Sequence, residues 1–240
     1  MPTASEPVDG FAAPYRLAFA AFAALLVATW WRPQWPAEQA LHHSLTLLAL
    51  VALVVVQRRR PLPFGSFLLV LAFLALHTVA ARWIYSFVPY DDWFDALFGW
   101  RPADAFGWRR NHFDRLVHLA YGLCVAPVVC RHLCEVRGWR PGRAATRAIE
   151  VVLSTSAAYE LFEWAIALTL APGAAEAYNG QQGDVWDAHR DMALATGGAA
   201  LAVAVVVARC RWRPGQSGPA QSGPAQSRPA GESVPASRRV

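Results

Sequence analysis

Between Tyr15 and Arg209 the chain divides into six apolar stretches, each close to the length a helix needs to cross a bilayer and each nearly free of charge. Their approximate limits are Tyr15 to Trp31, Leu41 to Val56, Phe64 to Val88, Phe113 to Cys134, Ala145 to Leu170 and Ala188 to Arg209. A soluble domain of 240 residues, 55% of them hydrophobic and 16% charged, would struggle to hide so much apolar surface. The expected fold is therefore all-α, a polytopic integral membrane protein with about six transmembrane helices. The first stretch ends in Trp30, Trp31 and Arg32 rather than in a small-residue cleavage site, so it is expected to stay as a helix.

The charges between these stretches set an orientation. Every basic residue among the 22 is Arg, and they cluster at Arg58 to Arg60, from Arg131 to Arg147, and at Arg209, Arg211 and Arg213. With six spans these clusters share one side, which the positive-inside rule makes cytoplasmic. The loops from Pro89 to His112 and from Ala171 to Asp187 then face outward with Asp91, Asp92, Asp95, Asp104, Glu176 and Asp184. Residues 1–14 form a cytoplasmic N-terminal segment, 15–209 the six-helix membrane domain and 210–240 a disordered cytoplasmic tail built on the repeat QSGPA, QSGPA, QSRPA. Arg in topology-setting loops argues against nucleic-acid binding. Cys124, Cys130, Cys134 and Cys210 have no zinc or disulfide spacing.

Ionisable side chains inside such stretches are costly unless paired, hydrated or bound to an ion, so their positions carry the functional signal. The fourth stretch opens NHFDRLVHLAYG, which puts Asp114, His118 and Tyr121 on one helical face, with Arg115 beside them as an ion-pair partner for an acidic loop residue. The fifth carries SAAYELFEWAIAL, with Ser156, Glu160 and Glu163 on one stripe, too deep for a short side chain to reach water. The sixth opens NGQQGDVWDAHRDMALATGGA. Asp184, Asp187 and Asp191 form one acidic stripe there; the first two have an ordinary helix-start explanation, while Asp191 lies deeper. Gly197 and Gly198 suit close helix approach. His77, Arg82 and Tyr85 end the third stretch, with Arg82 a counter-charge to the acidic cluster or an anchor for an anionic head group. The Trp- and Phe-rich loop after it reads as an interfacial segment able to roof a polar pocket.

These segments define the candidate catalytic set Asp114, His118, Glu160, Glu163, Asp187 and Asp191. Within it His118, Glu163, Asp187 and Asp191 are the candidate ligands of a divalent metal ion, and no residues are assigned to an organic cofactor. Three readings fit: a membrane-embedded enzyme on a lipid or lipid-linked substrate, using a metal or acid and base; an ion- or proton-coupled transporter; and a structural or accessory protein whose carboxylates fix helix packing. Membrane lipids are the expected partners; oligomeric state is open.

The ordered motifs DDWFDALFGWRRNHFDRLVHLAYG, YELFEW and QGDVWDAHRDMALATGGA resemble the YjdF-like family of bacterial inner-membrane proteins over most of the chain. More distantly, the layout of Asp-x-x-x-His, paired Glu and an Asp followed by glycines is similar to VanZ-like membrane proteins, whose basic residue after the Glu helix is not placed here. The nearer resemblance implies the bacterial cytoplasmic (inner) membrane, multi-pass, and brings no reaction with it.

Overall fold

The computed structural model describes residues 11–169 and 181–211. The disordered-tail expectation therefore falls outside the described residues, apart from its first two positions, as do Glu176, Gly180 and most of the N-terminal segment. Eight helices follow one another among the described residues, and no strand does. They are α1 (Ala13–Thr29), α2 (Pro36–Arg59), α3 (Phe64–Arg82), α4 (Tyr90–Phe98), α5 (Pro102–Phe106), α6 (Phe113–Arg137), α7 (Pro141–Ala167) and α8 (Asp187–Arg211).

Their limits follow local chemistry. Proline at the first turn of α2 and α7 costs no hydrogen bond, because the first amides of a helix have no partner within it. Gly138 ends α6 in the left-handed conformation, φ 65°, where a Cβ would be strained. α2 and α3, α6 and α7 are joined by short connections and run as antiparallel neighbours. Arg58, Arg59 and Arg60 thereby share an end of the bundle with Arg137, Arg140 and Arg143, while α4, α5 and the starts of α6 and α8 lie at the other.

Four helices are long and apolar enough to cross a membrane: α2, α3, α6 and α8 as far as Arg209. α1 is apolar but has only 17 residues. α7 has 27, yet Glu150, Glu160 and Glu163 dilute its apolar run. The surface of α2 fits a lipid environment. Gln39, His42, His43, Thr46 and Gln57 turn inward and are buried, whereas Leu47, Val51 and Leu48, the last 66% exposed, turn outward. Several inward polar groups are satisfied by chain ends: Gln39 Nε2 donates to Thr29 O at 3.0 Å, the Leu62 amide to Gln57 Oε1 at 2.7 Å, and Trp30 Nε1 to His43 Nδ1 at 3.0 Å.

The tightest packing joins α6 to α8, with α7 against both, α3 against α6, and α1 and α2 against α3. Small residues make the three-helix core of α6, α7 and α8, including Ala126, Ala144, Ala148, Ala195 and Ala199. A Cβ on Gly122 would lie 1.9 Å from Ala195 O, and one on Gly198 2.4 Å from Leu119 O. Backbone therefore meets backbone at this crossing. Gly198 meets the close-approach expectation; Gly197 has nothing within 4 Å of a Cβ, and Gly122 is its true counterpart.

Candidate functional site

Two layers of polar residues meet where α6 and α8 begin. In the outer layer Arg110, in the turn before α6, places Nη1 2.6 Å from Asp187 Oδ1 and 3.4 Å from Asp184 Oδ2. Arg115, on the first turn of α6, donates to Asp184 Oδ2 at 2.6 Å, and Arg190 of α8 pairs with the same oxygen. Asn111 and Gln182 add a reciprocal pair: the Asn111 amide donates to Gln182 Oε1 at 2.8 Å, and Gln182 Nε2 to Asn111 O at 3.0 Å. This clasp joins segments about 70 residues apart in the chain. Asp184 lies outside the helices, and its carboxyl titrates below the ordinary range. Partial burial works the other way, but the Trp186 amide and the guanidiniums of Arg190, Arg115 and Arg110 outweigh it.

Beside the clasp lies the second layer. Asp114 and His118 are four residues apart on α6, and Asp191 follows Asp187 by four on α8, so both rows face each other across the close glycine crossing. One ligand atom from each of Asp114, His118 and Asp191 lies within 4.8 Å of the other two. His118 Nε2 is 3.6 Å from Asp114 Oδ1 and 3.8 Å from Glu160 Oε1, which reaches in from α7. All three members of the triad are buried, Asp191 to 2% exposure. Asp191 Oδ1 and Glu160 Oε1 are buried without a hydrogen-bond partner. An orphaned anionic oxygen at this depth calls for a proton or a cation.

Two carboxylates and an imidazole are a donor set that divalent transition ions accept. The residues present thus fit a metal ion.

The six candidate catalytic residues do not all converge equally. Asp114, His118 and Asp191 form the compact group, with Glu160 at its edge. Asp187 lies in the clasp against Arg110. Glu163 is beside Tyr159 on α7 and outside the compact group. The ion pair expected of Arg115 is made with Asp184. Arg82 does not serve the acidic cluster: its Nη2 donates to Trp31 O at 3.1 Å and Arg32 O at 2.8 Å, sealing the α1–α2 turn. α4 and α5 carry the expected interfacial aromatics, with Phe98 and Phe106 exposed, and pack mainly on each other. Sequence reasoning missed Arg190, Asn111, Gln182 and Gly122; of these only Gly122, four residues after His118, carries a legible spacing signal.

Behind His118 lies a partly open chamber of about 200 Å³ between α2, α3, α6 and α7. His77 and Tyr85 stand on its far wall. The Tyr85 hydroxyl hydrogen-bonds His77 Nδ1, and the Tyr85 ring packs 4.9 Å from that of His42.

Comparison with known proteins agrees with this architecture. Residues 14–213 match the family described as "Predicted membrane protein (DUF2238)". The chain is similar to the inner membrane protein YjdF of Escherichia coli (strain K12), 34% identical over 183 residues, which are 72% of this chain and 82% of that protein. No solved structure matches. The chain belongs to the DUF2238 family of membrane proteins.

Proposed function

We propose that this member of the DUF2238 family is a six-span inner-membrane protein in which Asp114, His118 and Asp191 bind a divalent metal ion and act on a lipid or lipid-linked substrate at the outer leaflet. In this reading α1 and α7 also cross the bilayer, both termini are cytoplasmic, and the acidic layer opens to the extracytoplasmic side. The shared Arg-rich end of α2, α6 and α7 supports that orientation.

The observation that carries the reading is the buried triad, with Asp191 Oδ1 lacking a protein partner. A bound ion would act as a Lewis acid toward an oxygen of the substrate. The protein's own groups do the rest. His118 stands between the triad and the chamber, placed to orient a substrate group. Glu160, 3.8 Å from the imidazole, is placed to take or return a proton there. The clasp of Arg110, Arg115 and Arg190 restricts water from above and gives the mouth a cationic rim suited to an anionic head group.

A second reading has its own support. The pairing of Arg110 with Asp187 and of Arg115 with Asp184 ties α6 to α8, so these two carboxylates serve packing rather than metal binding. Elemental analysis of the detergent-purified protein tests the assignment. Stoichiometric metal that vanishes in Asp114→Asn and Asp191→Asn but persists in Glu163→Gln is the expected result; no metal in the parent protein, reloaded or not, overturns it.

A further inference from the structure

The chamber behind His118 has features that the metal reading does not use. Its walls are largely apolar, from Leu45, Ala49, Leu74 and Val117 to the rings of Phe73 and Tyr121. Hydroxyls and the imidazoles of His77 and His118 interrupt them, and among the hydroxyls Thr46 on α2 and Ser156 on α7 come from different helices. Both residues are almost fully buried, at 1% and 2% exposure, and neither side-chain oxygen has a hydrogen-bond partner. A buried hydroxyl is costly to leave unpaired, and here both residues line one cavity. None of the residues lining it carries a carboxylate or a guanidinium, and its two imidazoles, His77 and His118, are engaged with Tyr85 and with Asp114 and Glu160, which favours an uncharged occupant.

Size and depth narrow the choice. An apolar cavity of roughly 150 Å³ takes a benzene-sized molecule, so this chamber holds one ring-sized group and not a whole lipid. Thr46 stands ten residues in from Pro36, about 15 Å along the helix, close to mid-membrane. A lipid whose head is anchored at the interface by phosphate or glycerol does not place that head so deep. The route in is lateral. α2 packs on α3, and α7 on α6 and α8, while α2 and α7 make no substantial contact with each other. Leu48 on α2 and Leu153 on α7 are both exposed.

We propose that the chamber between α2, α3, α6 and α7 binds the uncharged, carbonyl-bearing ring of a prenyl-tailed lipid of the quinone class, which enters from the bilayer between α2 and α7. The Thr46 and Ser156 hydroxyls donate to its carbonyl oxygens, aromatic side chains flank the ring, and the tail leaves through the gap. The site does not depend on a metal at Asp114, His118 and Asp191.

The test is photolabelling of the full chain in phosphatidylcholine nanodiscs with an azidobenzoquinone bearing a geranyl tail, with labelled peptides mapped by mass spectrometry. The expected label falls on the chamber-lining segments of α2, α3, α6 and α7 and is competed by short-tailed ubiquinone but not by dioleoylglycerol. Ala49→Trp, which fills the chamber, abolishes it. Thr46→Val with Ser156→Ala weakens quinone competition by roughly tenfold, the loss of two hydrogen bonds. Melting temperature and metal content are followed in parallel, so that an unfolded variant or a failed metal site is recognised separately. If Ala49→Trp does not fold, the milder pair decides. Label spread evenly over lipid-facing helices, equal competition by dioleoylglycerol, or competition unchanged in the folded Thr46→Val, Ser156→Ala protein overturns the proposal.

Discussion

Arg110 Nη1 lies 2.6 Å from Asp187 Oδ1, and this buried ion pair joins the turn that launches α6 to the first residue of α8. Removing one partner leaves the other only a longer pair, Asp187 with Arg115 at 3.6 Å or Arg110 with Asp184 at 3.4 Å, so the cost falls below the ~3–5 kcal/mol of an isolated buried pair. Arg110→Met and Asp187→Leu should each lower stability by about 1–3 kcal/mol, and the double substitution should cost less than the sum of the two. Chemical denaturation in detergent, run as a double-mutant cycle, checks it; additive losses would show that the pair is not coupled.

The α6–α8 crossing makes a sharper steric prediction. A methyl group at Gly122 meets the Ala195 carbonyl at 1.9 Å, backbone that no side-chain rotation can move. Gly122→Ala should destabilise by about 2 kcal/mol or more through overpacking. Gly197→Ala, which meets nothing within 4 Å, should be neutral or stabilising by up to about 1 kcal/mol from helix propensity. Thermal melts of the two variants, measured side by side, separate contact from propensity.

Low pH should loosen the clasp through Asp184. Its carboxyl titrates below the ordinary aspartate value of about 3.9 in the folded protein, so the associated stability is fully present above that value. It is lost as pH falls below about 4 and through the lowered folded value. The parent protein should therefore lose more melting temperature between pH 5 and pH 3, both on the order of ordinary carboxylate titration, than Asp184→Asn does. Parallel curves for the two proteins would remove Asp184 from the acid response.

Metal binding should appear as stability. An ion held at about a hundred times its Kd adds about 2.7 kcal/mol to a folded state that alone binds it. Chelation should lower the melting temperature of the parent protein and leave Asp114→Asn and Asp191→Asn unmoved. A chelator response that survives in both variants would place the ion elsewhere.

The Tyr85 hydroxyl offers a smaller, local test. It bonds His77 Nδ1 from a turn in which Ile84 and Tyr85 both adopt positive φ, a conformation uncommon for residues with a Cβ. Tyr85→Phe should cost about 1 kcal/mol, the net value of one hydrogen bond. A substantially larger loss in the melting curve would mean that the hydroxyl also holds the turn.

Much of the fold could be read from residue order, because burial in a bilayer depends on composition over a window of about 20 residues. The apolar runs located every long helix, though α2 starts at Pro36 rather than Leu41 and α3 stops at Arg82, short of the expected Val88, and periodicity alone put Asp114 with His118 on one face of α6, and Asp187 with Asp191 on one face of α8. Arginine content predicted that the ends of α2 and α6 and the start of α7 lie together, and helix order places them so. What residue order could not decide was depth and partnership between helices. Residue order places Asp191 deeper than Asp187 but does not say which side chains of the other helices each one meets. Only the backbone approach at Gly122 and Gly198 sets one pair of carboxylates beside His118 and leaves Asp187 one turn away, against Arg110. The chamber is likewise tertiary: Thr46 and Ser156 are 110 positions apart, and nothing local to either residue tells that both face one cavity. Periodicity fixes which face of a helix a residue occupies; which face meets which is settled by packing between helices, through contacts that have no short-range signature.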